Sequence, residues 1–172
     1  MKLQNVVLSA AVATALALGG TSAFGGEVSA VASVSVTILA PVTLQATQGL
    51  DFGAVSKPGN AGVNTITLDP NTSSVTLSGA GDGARAMGAT APAKFDLIGD
   101  AGITYTTSQS LTFAQPGLTR VSASAPVAGN GALGVIPPSG RQELRFGGAF
   151  ELSAATPVQA YSGSLSVTVN YN

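Results

Sequence analysis

Side chains that could catalyse a reaction or bind a metal ion are few and widely spaced in this sequence. Histidine and cysteine are absent from all 172 residues. A Ser-His-Asp or Cys-His arrangement is therefore impossible, and the usual zinc sites lack their ligands. A Ser–Lys pair that uses Lys57 or Lys94 is conceivable, but we favour solvated surface lysines.

Three aspartates near glycine turns, Asp82, Asp96 and Asp100, could offer oxygen ligands to calcium. No D-x-D-x-D-G loop surrounds them, so we interpret them as turn-capping residues. Residues 81–86 fit the dinucleotide pattern G-x-G-x-x-A, which needs a helix immediately after it. Residues 87–92 do not have a helical pattern, which favours a flexible loop. We therefore expect no catalytic residue, no cofactor and no metal, and a protein that is not an enzyme.

Two further features have structural interpretations. Residues 71–73 match the N-x-S/T glycosylation sequon and mark an exposed turn. The phenylalanines are spaced singly along predicted strands, so we expect core residues and not a platform on which sugars stack. These residues are Phe52, Phe95, Phe113, Phe146 and Phe150.

The first 23 residues have the pattern of a secretory signal peptide. A positive start at Lys2 precedes the apolar run 6–18, and residues 21–23 fit the rule for cleavage after Ala23. Thirteen apolar residues are fewer than the roughly 20 that a bilayer-spanning helix needs, so we expect no transmembrane span. The predicted organisation is a signal peptide at 1–23, an extension at 24–38 and one domain at 39–172.

Charge is sparse after the signal peptide. Charged residues make up 9% of the chain, and without Lys2 six basic residues stand against eight acidic ones. Because no basic stripe could neutralise phosphates, we expect no nucleic-acid partner. The absence of cysteine in an exported chain indicates that packing and strand pairing hold the fold together.

The longest regular pattern is the alternation in residues 28–40. Every second position is apolar, which predicts a β-strand with one buried face. Pro41 then interrupts the hydrogen-bonding ladder. A long apolar strand must bury that face, in its own domain or in a neighbour. The residues of this candidate donor strand are Val28, Ala30, Ala32, Val34, Val36 and Ile38.

The rest of the chain predicts short strands separated by glycine and proline turns. No segment after the signal peptide has a convincing helical period. This spacing favours an all-β fold, an antiparallel β-sandwich. The last strand alternates most clearly, with one face formed by Leu165, Val167, Val169 and Tyr171.

Residues 161–171 resemble the last strand of chaperone–usher pilins and of the spore coat protein U group, in which an alternating strand ends with a penultimate tyrosine. The segments 50–53, 95–99 and 144–148 are similar to a family of exported bacterial domains of unknown function that is considered pilin-like. The resemblance implies an incomplete immunoglobulin-like sandwich that receives its missing strand from the next subunit. It also implies a periplasmic chaperone that covers the groove, and pairs with the last strand, until an outer-membrane usher exchanges it.

Two functions follow as hypotheses. The first is an exported structural subunit of a pilus-like surface filament, a homopolymer held together by donor strands, which passes through the periplasm to the cell surface or beyond. The alternative is a monomer that inserts its own segment 28–38 and serves as a surface or carbohydrate-binding module.

Overall fold

The structure, a computed structural model, describes residues 32–38 and 40–171. Within these residues the chain forms twelve β-strands and no helix, and every pairing is antiparallel. The all-β prediction is confirmed. The strands are β1 Thr43–Gln48, β2 Ala54–Val55, β3 Val63–Leu68, β4 Val75–Gly79, β5 Ala86–Met87, β6 Ala93–Ile98, β7 Tyr105–Phe113, β8 Thr119–Ala123, β9 Val127–Ala128, β10 Arg141–Phe146, β11 Gly148–Ser153 and β12 Gly163–Tyr171.

The apolar segment before β1 is not a strand. The chain divides into two units between Thr37 and Ile38. Residues 32–38 have no regular secondary structure, and Val34, Val36 and Ile38 are 94%, 83% and 89% exposed. The strand predicted across 28–40 is therefore not formed at 32–38, because an extended segment keeps strand geometry only where a neighbouring edge accepts its backbone hydrogen bonds. Residues 28–31 and 39 lie outside the described residues.

The first sheet has the strand order β1-β6-β10-β9. Its inward side chains form a core with the two-stranded ribbon β7–β12. Leu97, Leu144 and Phe146 are fully buried there, and Tyr105 of the ribbon closes the core from the other side. Their alternation along β6 and β10 is the period of two that strands with one buried face require.

The second sheet has the order β4-β3-β11-β8 and packs its inner face on aromatic rings. Phe150 contacts Phe52 and Phe113 in edge-to-face geometry, with ring centroids 5.0 and 5.7 Å apart. One residue, Gly147, separates β10 of the first sheet from β11 of the second. A side chain at Gly147 would collide with the carbonyl oxygen of Leu68, which explains why glycine occupies this crossing.

The longest ribbon of the fold is formed by β7 and β12. β7 runs unbroken from Tyr105 to Phe113 because β12 pairs along its whole length. At Gly147–Gly148 the chain passes from the first sheet to the second. The described residues contain no helix with the length and apolarity to cross a membrane.

Tyr105 and Gln142 form a buried polar contact inside the first core. The Tyr105 hydroxyl donates to Gln142 Oε1 at 2.6 Å, and Gln142 Nε2 donates to the carbonyl oxygens of Asn130 and Ala132 at 3.1 and 2.8 Å. Burial raises the pKa of Tyr105 above its ordinary value. The contact therefore joins β7, β10 and the loop before β10.

This raised pKa predicts an alkaline stability effect. The stabilising contribution is complete below the ordinary tyrosine pKa of about 10 and is lost as pH rises through the higher pKa of the folded state. We expect Tyr105→Phe to show a shallower decline in the free energy of unfolding above about pH 10 than the wild type, measured by urea denaturation. At neutral pH it should cost about 1–3 kcal/mol, because Gln142 Oε1 loses its donor. The neighbouring exposed variant Thr106→Ala should keep the wild-type slope, and an equal slope for Tyr105→Phe would contradict the assignment.

Candidate functional site

An apolar groove with a cavity volume of about 1080 Å³ lies among the described residues. Residues 49–57 and 156–165 form its two rims, and side chains of both sheets form its floor. Its apolar side chains include Leu50, Phe52, Phe95, Leu111, Phe113, Leu118, Phe150, Leu152 and Leu165. Such a surface is costly to leave in water, which makes this groove the candidate functional site.

Two unpaired strand edges border the groove. Among the described residues β1 pairs only with β6, and β12 pairs only with β7. Ala46 and Gly49 line the groove from the β1 side, and Ser164 and Leu165 line it from the β12 side. The facing edges thus offer free backbone donors and acceptors to an added strand.

The two edges run in opposite directions. At one end of the gap, Val42 and Ile136 both lie against Gly99. The amide of Tyr105 donates to the carbonyl oxygen of Gly134, and Tyr105 pairs with Tyr171, the last residue of β12. We call this the Ile136 end, and β1 starts there while β12 finishes there. A strand inserted between the edges would therefore be parallel to one and antiparallel to the other.

The opposite end of the gap is the Phe113 end. Phe113 pairs with Gly163 at the start of β12, and both residues line the groove with Leu50. The ring of Tyr161 lies 6.4 Å from that of Phe113. The cavity therefore lies where β1 ends and β12 begins.

The core beside the gap is only partly covered. Val42 and Leu44 next to β6, and Leu165, Val167 and Val169 of β12, pack against the first core but stay half-buried. Residues in the middle of the same core, by contrast, are fully buried. The partly exposed core residues are thus those that lie next to the two unpaired edges.

The predicted face of the last strand is found on β12, with one difference. Leu165, Val167 and Val169 point towards the core as expected, whereas Tyr171 is 50% exposed at the Ile136 end. Among the predicted donor residues, Ala32, Val34, Val36 and Ile38 are exposed, and Val28 and Ala30 lie outside the described residues.

The predicted aromatic core divides into two environments. Phe146 and Phe150 are buried. Phe52, Phe95 and Phe113 are half-buried and form part of the groove wall. Singly spaced phenylalanines thus meet in three dimensions, because the strands that carry them converge on the gap.

The two lysines and three aspartates considered as catalytic or metal-binding groups do not come together. Lys57 Nζ donates to the carbonyl oxygen of Ala154 at 2.9 Å, and Asp96 forms an ion pair with Arg141 that raises the pKa of the guanidinium. Asp100 Oδ2 accepts the Ala40 amide at 2.8 Å. In residues 32–38 and 40–171 no three His, Cys, Asp or Glu side chains lie close enough to hold a metal ion.

The remaining candidates and the rims have local explanations. The glycine pattern at 81–86 lies between β4 and β5, with a strand after it where a helix would be needed. Lys94 is half-buried on β6, next to Arg145 in the strand register. The rim segments 53–57 and 156–160 have no alternating pattern, so sequence reasoning missed them.

Comparison with known proteins identifies one family. The model of a family described as a domain of unknown function, DUF4402, matches residues 42–171, about three quarters of the chain. No curated protein and no solved structure is significantly similar to this chain. The matched range contains both edges of the groove and excludes residues 28–38.

The groove should bind small apolar probes, and a charge inside it should prevent this. We expect Leu165→Glu to reduce the fluorescence and affinity of a bound apolar dye severalfold, because a carboxylate would lie in the apolar floor. Ser166→Glu adds the same charge to the same strand at an exposed position that does not line the groove, so it should bind dye like the wild type. Equal loss in both variants, or in neither, would contradict the assignment of the dye site to the groove.

Proposed function

This chain belongs to the DUF4402 family, and we propose that it is an exported structural subunit of a surface filament. In the proposal, the extension 24–38 of one copy adds a strand to the groove of the next copy. The apolar positions from Val28 to Ile38 face the groove floor. The backbone of the added strand pairs with β1 on one side and β12 on the other.

One observation carries the proposal: the chain combines an apolar gap between two unpaired strand edges with an exposed apolar segment of alternating pattern. The gap lies between two unpaired edges. Val34, Val36 and Ile38 are at least 83% exposed. Each feature is costly alone, and inserting such a segment into such a gap would remove both costs.

The energetic gain would be large enough to hold two copies together. Burial of Val34, Val36 and Ile38 contributes roughly 1.5–3 kcal/mol for each side chain before backbone pairing is added. Removal of water from the half-buried groove residues adds to this gain. Because donor and acceptor are different surfaces of one chain, repeated addition is head-to-tail and leads to an open filament.

Finer features of the proposal rest on the resemblance to pilins. They are an immunoglobulin-like sandwich that lacks one strand, a periplasmic chaperone that covers the groove before assembly, and an outer-membrane usher. Residues 1–23 supply the proposed export signal. The filament would then lie on the cell surface or outside the cell.

The alternative proposal is a monomer that inserts its own segment 28–38 and acts as a surface or carbohydrate-binding module. The same groove and the same donor residues would serve it. The two proposals differ in whether the inserted segment 28–38 comes from the same copy or from another one. The oligomeric state is therefore the measurement that discriminates between them.

The test is sedimentation of the mature chain from Phe24 onwards at several concentrations. We expect concentration-dependent polymers in the wild type and monomers in Val34→Ser/Val36→Ser/Ile38→Ser. Loss of about 4.5 kcal/mol or more at each contact weakens association by roughly a thousandfold or more. Because these side chains are exposed in the single chain, the variant should keep its fold, monitored by circular dichroism.

The matched control changes the other face of the same segment. Ser33→Ala/Ser35→Ala/Thr37→Ala alters three neighbouring positions without removing an apolar side chain, and it should polymerise like the wild type. A wild type that stays monomeric at all concentrations would contradict the filament. In that case, loss of fold after deletion of 24–38 would support the self-inserted monomer.

A further inference from the structure

The donor segment is not uniform along its length. Val28 opens the segment, the next two apolar positions, Ala30 and Ala32, are small, and the three at the end, Val34, Val36 and Ile38, are larger. From Ala30 onwards, the volume of the apolar side chains therefore increases towards Ile38.

The groove has the same gradient. At the Ile136 end, Val42, Ile136 and Val169 pack against the first core, and none of them lines the cavity. At the Phe113 end, the cavity of about 1080 Å³ opens between Phe52, Phe113 and Leu165. Because cores fill to constant density, the larger donor residues fit at the Phe113 end. The donated strand then runs from the Ile136 end to the Phe113 end, antiparallel to β12.

This direction fixes which surfaces of two copies meet. In the donor copy, the amide of Ala40 is held by Asp100 Oδ2 at 2.8 Å, and Asp100 follows Gly99 at the Ile136 end of that copy. Only one residue, Leu39, lies between Ile38 and Ala40, so the two are at most about 7 Å apart at full extension. The Ile136 end of the donor copy must therefore lie beside the Phe113 end of the acceptor copy.

Both of these ends carry exposed apolar side chains. At the Ile136 end, Leu133, Val135 and Tyr171 are 41–50% exposed, and Val135 and Tyr171 lie on either side of residues 104–105. At the Phe113 end, Val158 is 85% exposed on the rim next to Tyr161. Where the Ile136 end of one copy faces the Phe113 end of the next, these exposed apolar side chains would cover each other.

We infer that the chain has a second contact surface for its own copies, in which Val158 of the acceptor packs on Leu133, Val135 and Tyr171 of the donor. This inference rests on the proposed function, because the donated strand brings the two ends together. The contact limits bending between successive copies, so the filament is stiffer than domains joined by a free linker.

Engineered cysteines test this contact cleanly, since the chain has none of its own. Val158→Cys and Val135→Cys proteins are mixed, allowed to polymerise and treated with a short bis-maleimide. We expect cross-linked pairs to form at least about tenfold faster than in a mixture of Val135→Cys with Thr76→Cys, because facing ends have a high effective concentration. Thr76 is the matched control, an exposed position on β4 that does not line the groove.

The outcomes separate the two proposals. Polymers that cross-link no faster than the Thr76 control would overturn the end-to-end contact and leave the filament intact. Preferential Val158–Val158 cross-links would also overturn it, since they require two like ends to meet. If no polymer forms in the unsubstituted chain, the filament fails and the contact fails with it.

Discussion

Two strand edges that face each other without pairing dominate this structure. A sheet edge presents backbone donors and acceptors that need partners, and the apolar faces of β1 and β12 need cover as well. In the described residues neither need is met across the gap, so the groove is open and the core beside it is half-covered. In the proposed function, closure of this gap by an added strand is what joins one copy to the next.

Several contacts join the walls of the gap to one another. The Gly147 crossing carries one continuous stretch of chain from the first sheet into the second. The rings of Phe52, Phe113 and Phe150 join the second sheet to the rim and to β7. The Tyr105–Gln142 hydrogen bond joins β7 to β10. In the proposed function, walls joined in this way lower the entropic cost of binding a strand.

Charged and apolar groups are placed differently in this chain. Charged residues make up 9% of it, and some of them form pairs such as Arg141–Asp96 and Arg120–Glu151. Exposed apolar side chains occur in the segment 32–38 and at the two ends of the gap, and also at Val63, Met87 and Ile98. The first two groups are the ones that copies of the chain cover in the proposed filament.

The sequence by itself determined the all-β class, the inward face of β12 and the apolar alternation before β1. These are local patterns, because a period of two identifies a half-buried strand without reference to its partners. It did not determine which strands pair, that residues 53–57 and 156–160 form the rims, or that Phe52, Phe95 and Phe113 stand around an opening and not inside a closed core. Only the tertiary structure decided these features. The period of a strand indicates that one of its faces is buried, but it contains no information about which strand or segment lies against that face.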